Sequence, residues 1–227
     1  MTKMVLQKND SNFAESTKVW VVDDDIKFCS YITQVLSNLP LSVASYQRAE
    51  TFLKAYHEDS PGCILLDIRL PVQSGLAVQQ KLVNAGFQAP IIFMTGHIDI
   101  PLAVLAMKRG AFDVLVKPIS NPILLATIER AISYNREVRL LNSHYERLKK
   151  LSKREKGVFE RLIIGKMNKV IAHELNLSIK TIEIHRQHIM HKMEVKTLAR
   201  LVEIHSLWER HQEKLIKIRR MCSEVFS

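Results

Sequence analysis

Cysteine is scarce. Cys29, Cys63 and Cys222 are the only three among 227 residues, and no two form a CxxC pair. An odd, scattered set argues against a disulfide framework or a cysteine-based zinc site, and predicts a reducing compartment. Long apolar runs are also missing. No stretch approaches the 18 or so consecutive apolar residues that a membrane helix requires. The opening residues, MTKMVLQKNDSNF, lack the apolar core of a signal peptide. The expectation is a cytoplasmic chain with no membrane partner. Hydrophobic residues at 47% and charged residues at 25% make an ordinary globular mix, and this length suits one large domain or two modest ones.

Aspartate is absent from residues 121–227, although that half is strongly charged. Residues 1–120 carry 11 Lys+Arg against 11 Asp+Glu, and the remainder carries 22 against 12, so the whole net charge of +10 lies in the second half. A neutral, Asp-rich half joined to a basic half predicts a site for phosphoryl or metal chemistry tethered to a polyanion binder.

What is present in the first half is an alternation. Val19–Val22, Leu41–Ser45, Cys63–Leu66, Ile91–Met94 and Val114–Val116 are short runs rich in β-branched residues, separated by stretches of helical spacing such as Phe28, Ile32, Val35 and Leu36. That pattern predicts a doubly wound α/β domain with a five-stranded parallel sheet covered on both faces. Right-handed crossovers would place every strand's C-terminal end on one rim, where such folds bind ligands. Asp23, Asp24 and Asp25 follow the first run, Asp67 the third, Thr95 the fourth and Lys117-Pro118 the fifth. Asp25 reads as a helix cap. The other carboxylates would converge with one hydroxyl and one ammonium, a donor set of hard oxygens that suits Mg²⁺.

The segments VWVVDDD, LLDIRLP, IIFMTGH and VLVKPI resemble the receiver domain of bacterial two-component response regulators, over residues 18–135. The resemblance implies that Asp67 accepts a phosphoryl group from the phosphohistidine of a sensor histidine kinase. It implies Mg²⁺ held by Asp24, Asp67 and the backbone carbonyl of Arg69, with Asp23 acting through a water. Thr95 and Lys117 would contact the new phosphoryl group, and Lys117-Pro118 would be a cis peptide. One position departs from the pattern: Val114 stands where such receivers carry Tyr or Phe, and valine cannot make the inward aromatic swing.

Proline and glycine are both missing between Pro122 and Gly157. Asn121 as cap and Pro122 in the first turn open a predicted helix. Along it Leu124, Thr127, Ala131, Tyr134, Val138, Leu141, Tyr145 and Leu148 recur at three- and four-residue spacing, extending into a linker over residues 136–150.

The basic half begins with a capping box, Ser152-Lys-Arg-Glu155, opening a helix that should stop at Gly165. Asn168 is expected to cap a short helix, Lys169–Leu175. Asn176-Leu177-Ser178 makes a tight turn into a longer helix from Ile179 to about Met193. Two helices so joined match helix-turn-helix geometry. In the longer helix Ile179, Ile182, Ile189, Met190 and Met193 form an apolar stripe, while Lys180, Glu183, Ile184, Gln187, His188 and His191 project the other way. An exposed Ile184 wants an apolar partner such as a thymine methyl, beside Gln187 for base edges. The HxxHxxH run formed by His185, His188 and His191 rotates around the helix with no second ligand element, which argues against a metal site.

LSKREKGVF, GKMNKVIAHELNLS and KTIEIHRQHIMHKM resemble the LuxR-type output domain over residues 151–205, in the FixJ-like branch of the NarL/FixJ regulators. The resemblance implies base reading in double-stranded DNA by Glu183, Ile184 and Gln187. It implies backbone contacts by Lys166, Asn168, Lys169, Lys180, Thr181 and Lys192, with His188 on the same face. Arg186 flanks the core stripe, and two roles stand open for it: a structural ion pair, with Glu155 as the candidate partner, or a DNA contact. Residues 1–17 are expected as a flexible tail and residues 206–227 as a basic helical tail.

The function so implied is phosphorylation-controlled, sequence-specific DNA binding by a homodimer, with RNA polymerase as a further candidate partner and no enzymatic output beyond the receiver's own phosphorylation and dephosphorylation. Two rivals stand beside it. A phosphorylation-independent DNA binder with a dimerising receiver is suggested by Val114. A Mg²⁺-dependent phosphohydrolase would use Asp67 as nucleophile, but needs a second acid two residues on, where Arg69 stands.

Overall fold

The computed structural model describes residues 17–57, 61–96 and 100–225, with backbone alone for Ile100 and from residue 214 onward. The expected tail over 1–17 lies outside the described residues apart from Thr17, which opens the first strand. The chain forms two compact units, residues 1–138 and 139–227.

In the first unit β1 (Thr17–Val22), β2 (Leu41–Tyr46), β3 (Gly62–Asp67), β4 (Ile91–Thr95) and β5 (Asp113–Val116) pair in parallel in the order β2-β1-β3-β4-β5. Each predicted strand is present, extended by one or two residues. Side-chain alternation splits the core across the sheet. Trp20, Val22, Ile64, Leu66 and Phe93 meet α2 (Ala49–Ala55), α3 (Gly75–Asn84) and α4 (Ile100–Lys108) on one face. Val19, Val21, Cys63, Leu65, Ile92 and Met94 meet α1 (Ile26–Leu36) and α5 (Asn121–Lys149) on the other. All six residues of β3 are buried, as the central strand of a doubly covered sheet must be.

Helix α5 is unbroken over 29 residues. Asn121 lies inside it and does not cap it: its side-chain Oδ1 accepts from the Tyr31 hydroxyl, a partner 90 residues away that local spacing could not reveal. Leu124, Ile128, Ala131 and Ile132 seal the sheet, so the first half of the apolar seam is consumed within this unit. Buried Asn135 accepts the Gly62 amide at 3.0 Å, satisfying a backbone donor where β3 starts.

The second unit contains the end of α5, then α6 (Lys153–Ile163), α7 (Asn168–Leu175), α8 (Ile179–Lys192) and α9 (Leu198–Val225). The capping box is formed, with Ser152 and Glu155 bonding each other's backbone amides. Gly165 takes the left-handed conformation at φ +79° that ends α6. Asn176 does the same after α7, and Ser178 caps α8 by accepting from Thr181 N at 3.0 Å. Val158, Phe159 and Leu162 from α6, Ile171 and Ala172 from α7, and Ile182 and Ile189 from α8 form one core with Leu201 of α9.

Asn168 corrects the reading of α7. It is the first helical residue rather than the cap, and its Oδ1 accepts from Arg186 Nη1 at 2.9 Å. Arg186 accordingly does not pair with Glu155. The start of α7 lies beside the middle of α8, whereas the start of α6 lies beside its last turn, so Glu155 meets Lys192 instead.

The proximal part of the C-terminal tail packs inside the same unit. Trp208 of α9 stacks on Tyr145 at 5.8 Å, and His205 hydrogen-bonds His144 at 3.1 Å.

Candidate functional site

The sheet carries its functional groups on one rim because every parallel strand ends there. Asp67 is the last residue of β3 and Thr95 the last of β4, both buried, and Asp23 directly follows β1 with no exposure at all. Ligand oxygens of Asp23, Asp24 and Asp67 all lie within 4.8 Å of one another. Among the described residues this is the one group of three or more acidic, histidine or cysteine side chains so disposed.

Lys117 ties the cluster together. Its Nζ donates to Asp23 Oδ2 at 2.5 Å and to Asp67 Oδ2 at 2.7 Å. The remaining oxygens are held by backbone: Asp23 Oδ1 accepts the Asp25 amide at 3.0 Å, and Asp67 Oδ1 accepts the Arg69 amide at 2.8 Å. The Lys117 amide in turn donates to the Thr95 carbonyl at 2.7 Å, fixing the β5 rim against β4. The Lys117-Pro118 peptide is cis.

Burial raises the Asp23 pKa above the usual carboxylate range, against the lowering pull of Lys117 and the Asp25 amide, and the Asp67 charge adds to the rise. Burial alone would lower Lys117, but its bonds to the two carboxylates outweigh it and raise the pKa, so the ammonium stays charged. Three hard oxygens facing one another in a partly desolvated pocket fit a small divalent cation, whose charge would relieve their mutual repulsion.

Two local devices set the rim. Asp25 caps α1, accepting from Lys27 N at 2.9 Å and Phe28 N at 3.1 Å, as its position after β1 suggested. Gly75, the first residue of α3, lies so close beneath the Asp67 backbone that a Cβ there would sit 2.2 Å from the Asp67 carbonyl oxygen.

Val114 is half-buried and packs on the face of the sheet that meets α2, α3 and α4. Phe112 belongs to the opposite face, with its ring 5.5 Å from Tyr134 and beneath the Arg130 guanidinium. Phe112 is therefore not placed to supply the missing aromatic at position 114.

On the second unit, Lys169, Lys180, Glu183, Ile184, Gln187 and His188 are exposed, Ile184 with 45% of its surface open. Other expected DNA contacts are engaged within the domain. Lys166 pairs with Glu174, Asn168 with Arg186, and the Thr181 hydroxyl with Ser178 at 2.8 Å. Lys192 is held by Glu155 at 2.6 Å. Sequence reasoning missed two further arrangements: the Phe28 ring against the Lys117 ammonium, and the buried His144–His205 pair. Phe28 had a local signal, three residues after a capping aspartate; the histidine pair had none.

Comparison with known proteins agrees with this division. A family described as the response regulator receiver domain matches residues 19–129, and one described as bacterial regulatory proteins of the luxR family matches residues 149–205. The response regulator protein TodT of Pseudomonas putida is 37% identical over 190 residues, covering 82% of this chain and 84% of TodT. Nodulation protein W of Bradyrhizobium diazoefficiens is 39% identical over 195 residues, covering 83% and 86%. The transcriptional regulatory protein FixJ of Azorhizobium caulinodans is 37% identical over 194 residues, covering 84% and 92%. Among solved structures, the response regulator StyR superposes with a TM-score of 0.64 at 36% identity, over 84% of this chain and 98% of StyR. Full-length FixJ from B. japonicum gives 0.51 at 35%, over 85% and 97%. The chain belongs to the NarL/FixJ family of response regulators, with a receiver domain and a LuxR-type DNA-binding domain.

Proposed function

We propose that Asp67 is the phosphoacceptor of this regulator and that its phosphorylation controls dimerisation and the grip of α8 on DNA. The observation that carries this reading is the bridging of Asp67 and Asp23 by one Lys117 ammonium, beside an acidic cluster compact enough for a divalent cation. An Asp67 carboxylate oxygen attacks phosphorus of a sensor kinase's phosphohistidine, the P–N bond breaks, and the imidazole, already protonated on its other ring nitrogen, leaves neutral. Lys117 then moves its bond from the consumed Asp67 oxygen to a phosphoryl oxygen, and the Thr95 hydroxyl donates to another. Asp23, Asp24, Asp67 and the Arg69 carbonyl would hold Mg²⁺, which when bound offsets oxygen charge during transfer.

The aspartyl phosphate adds roughly −1.5 to −2 charge and three acceptor oxygens, enough to bias a two-state surface. In the second unit Glu183, Ile184 and Gln187 would read bases, and Lys169 and Lys180 would neutralise phosphates. Their exposure on one face of α8 and at the start of α7 supports that division. Lys166, Asn168, Thr181 and Lys192 would reach the DNA backbone only by sharing or exchanging their partners within the domain; His188, exposed on α8, would join the contacts. In domain terms this is a receiver over 18–135, a linker over 136–150, a DNA-binding domain over 151–205 and a basic tail over 206–227, acting in the cytoplasm with a sensor kinase, DNA, a second copy and RNA polymerase as partners. Among the described residues no helix is long and apolar enough to cross a membrane.

Val114 favours one second reading, a regulator that binds DNA without phosphorylation, because no aromatic occupies that position. Acetyl phosphate with Mg²⁺ separates the two. One-site labelling lost in Asp67→Asn, together with tighter operator binding, is expected; labelling with unchanged DNA affinity selects the second reading.

A further inference from the structure

Lys117 has a third partner besides its two carboxylates. Its Nζ lies 4.3 Å from the centroid of the Phe28 ring. A cation over an aromatic face is drawn to the ring's negative quadrupole, more strongly where water is excluded, and the Lys117 side chain keeps only 18% of its surface open. The ring is itself well anchored. The Phe28 amide donates to the Asp25 cap at 3.1 Å, and the side chain packs against the core between the sheet and α1, with Tyr31 at 6.2 Å. One aspartate thus starts the helix that carries the aromatic face to the ammonium.

Of the two carboxylates on Lys117, only Asp23 survives the reaction unchanged. When Asp67 becomes an acyl phosphate, its Oδ2 ceases to be the charged partner that the ammonium now holds at 2.7 Å. The Phe28 ring is unchanged by that conversion and keeps the same face towards Nζ. We propose that Phe28 is a positioning residue for Lys117, holding the ammonium at the rim so that it meets the incoming phosphoryl oxygens without rearranging. This rests on the assignment of Asp67 as phosphoacceptor.

The test uses the full-length chain and separates aromatic character from apolar bulk. Phe28→Leu keeps an apolar side chain and removes the ring; Phe28→Trp keeps a ring of stronger quadrupole. With acetyl phosphate and Mg²⁺, Phe28→Leu is expected to slow Asp67 labelling by about three- to tenfold, and Phe28→Trp to recover most of the rate. An independent readout needs no phosphodonor. In the wild-type protein the Lys117 Cε methylene protons should show an upfield ring-current shift by NMR, lost in Phe28→Leu while the melting temperature and the remaining spectrum stay close to wild type. Labelling of Phe28→Leu at the wild-type rate, equal slowing in Leu and Trp variants, or unshifted Lys117 protons in the wild-type protein would each overturn the proposal. If Phe28→Leu fails to fold, the wild-type shift and the Trp variant decide it. Labelling that survives Asp67→Asn would instead overturn the phosphoacceptor assignment.

Discussion

Glu155 and Lys192 join the first turn of α6 to the last residue of α8, with 2.6 Å between Oε2 and Nζ. Glu155 also accepts the Ser152 amide at 2.7 Å, so one buried carboxylate closes a capping box and pins the end of α8. Burial alone would raise its pKa, but Lys192 and the Ser152 contacts overcome that and bring it down to about 2. Because the folded value lies below the ordinary one, the stabilisation is present above about pH 4.5 and is lost as pH falls towards 2. Glu155→Gln keeps a capping-box side chain and removes only the charge. It should cost about 1–3 kcal/mol in urea unfolding at pH 7, the partly exposed lysine moderating the loss, and the deficit should shrink as pH approaches 2.

The His144–His205 pair predicts an earlier acid transition. Both rings are buried, with Nε2 of one 3.1 Å from Nδ1 of the other, a bond that needs one ring to donate and the other to accept. Phe159 meets His205 edge-on, and Trp208 and Tyr145 complete the surround. Burial lowers the His144 pKa to about 4, aided by His205 and Arg147, and burial lowers His205 against the opposing pull of Glu209. Depressed histidines favour the neutral fold, so their contribution is present above about pH 6.5 and is lost as pH falls towards 4. Hydrogen exchange of the α6 and α9 amides should show this unit losing up to about 3 kcal/mol across that window. His144→Gln, which can still donate to His205 without titrating there, should flatten the dependence.

The fold and the receiver rim were legible because both follow from short-range pattern. β-branched runs mark strands, and parallel strands deliver whatever follows them to one edge, so pattern alone groups Asp23, Asp67, Thr95 and Lys117. Pairings between helices were not legible. Periodicity says which face of α8 is apolar, but not which end of α6 or α7 lies against which turn of it. Arg186 was therefore matched with Glu155, although Asn168 lies opposite it and Lys192 takes the carboxylate. Local sequence offers Asn121 and Asn168 as caps, but each is drawn instead to a distant donor, Tyr31 and Arg186.

Two positions between Asp67 and the first turn of α3 should respond to substitution in opposite directions. Val72 is β-branched, 86% exposed and held at φ +71°, a conformation that strains its Cβ. Val72→Gly should raise stability by about 1 kcal/mol, the relieved strain being partly offset by a freer unfolded chain. Gly75→Ala would drive a methyl to 2.2 Å from the Asp67 carbonyl oxygen and 3.1 Å from the Phe93 ring. It should cost about 2–3 kcal/mol and slow Asp67 labelling, because the backbone that carries Asp67 must shift. Thermal melting with acetyl phosphate labelling checks both, and a destabilising Val72→Gly would show that the strain is not paid at that residue.

DNA affinity measured against salt separates base reading from charge on the second unit. Gln187 is exposed on α8 beside Ile184 and Lys169 is exposed at the start of α7; on the proposed reading the first bonds a base edge and the second meets the anionic backbone. Gln187→Ala should relax preference at one operator position by about 1–3 kcal/mol and leave the slope of log affinity against log salt unchanged. Lys169→Ala should weaken cognate and unrelated duplexes alike and reduce that slope by about one, since one fewer counterion is released. Lys166 provides the internal control. Its ammonium is already paired with Glu174, so Lys166→Ala should change the slope less than Lys169→Ala. Equal slope changes for the two lysines would mean that the Glu174 pair opens on DNA and that the α6–α7 turn shares the phosphate contact.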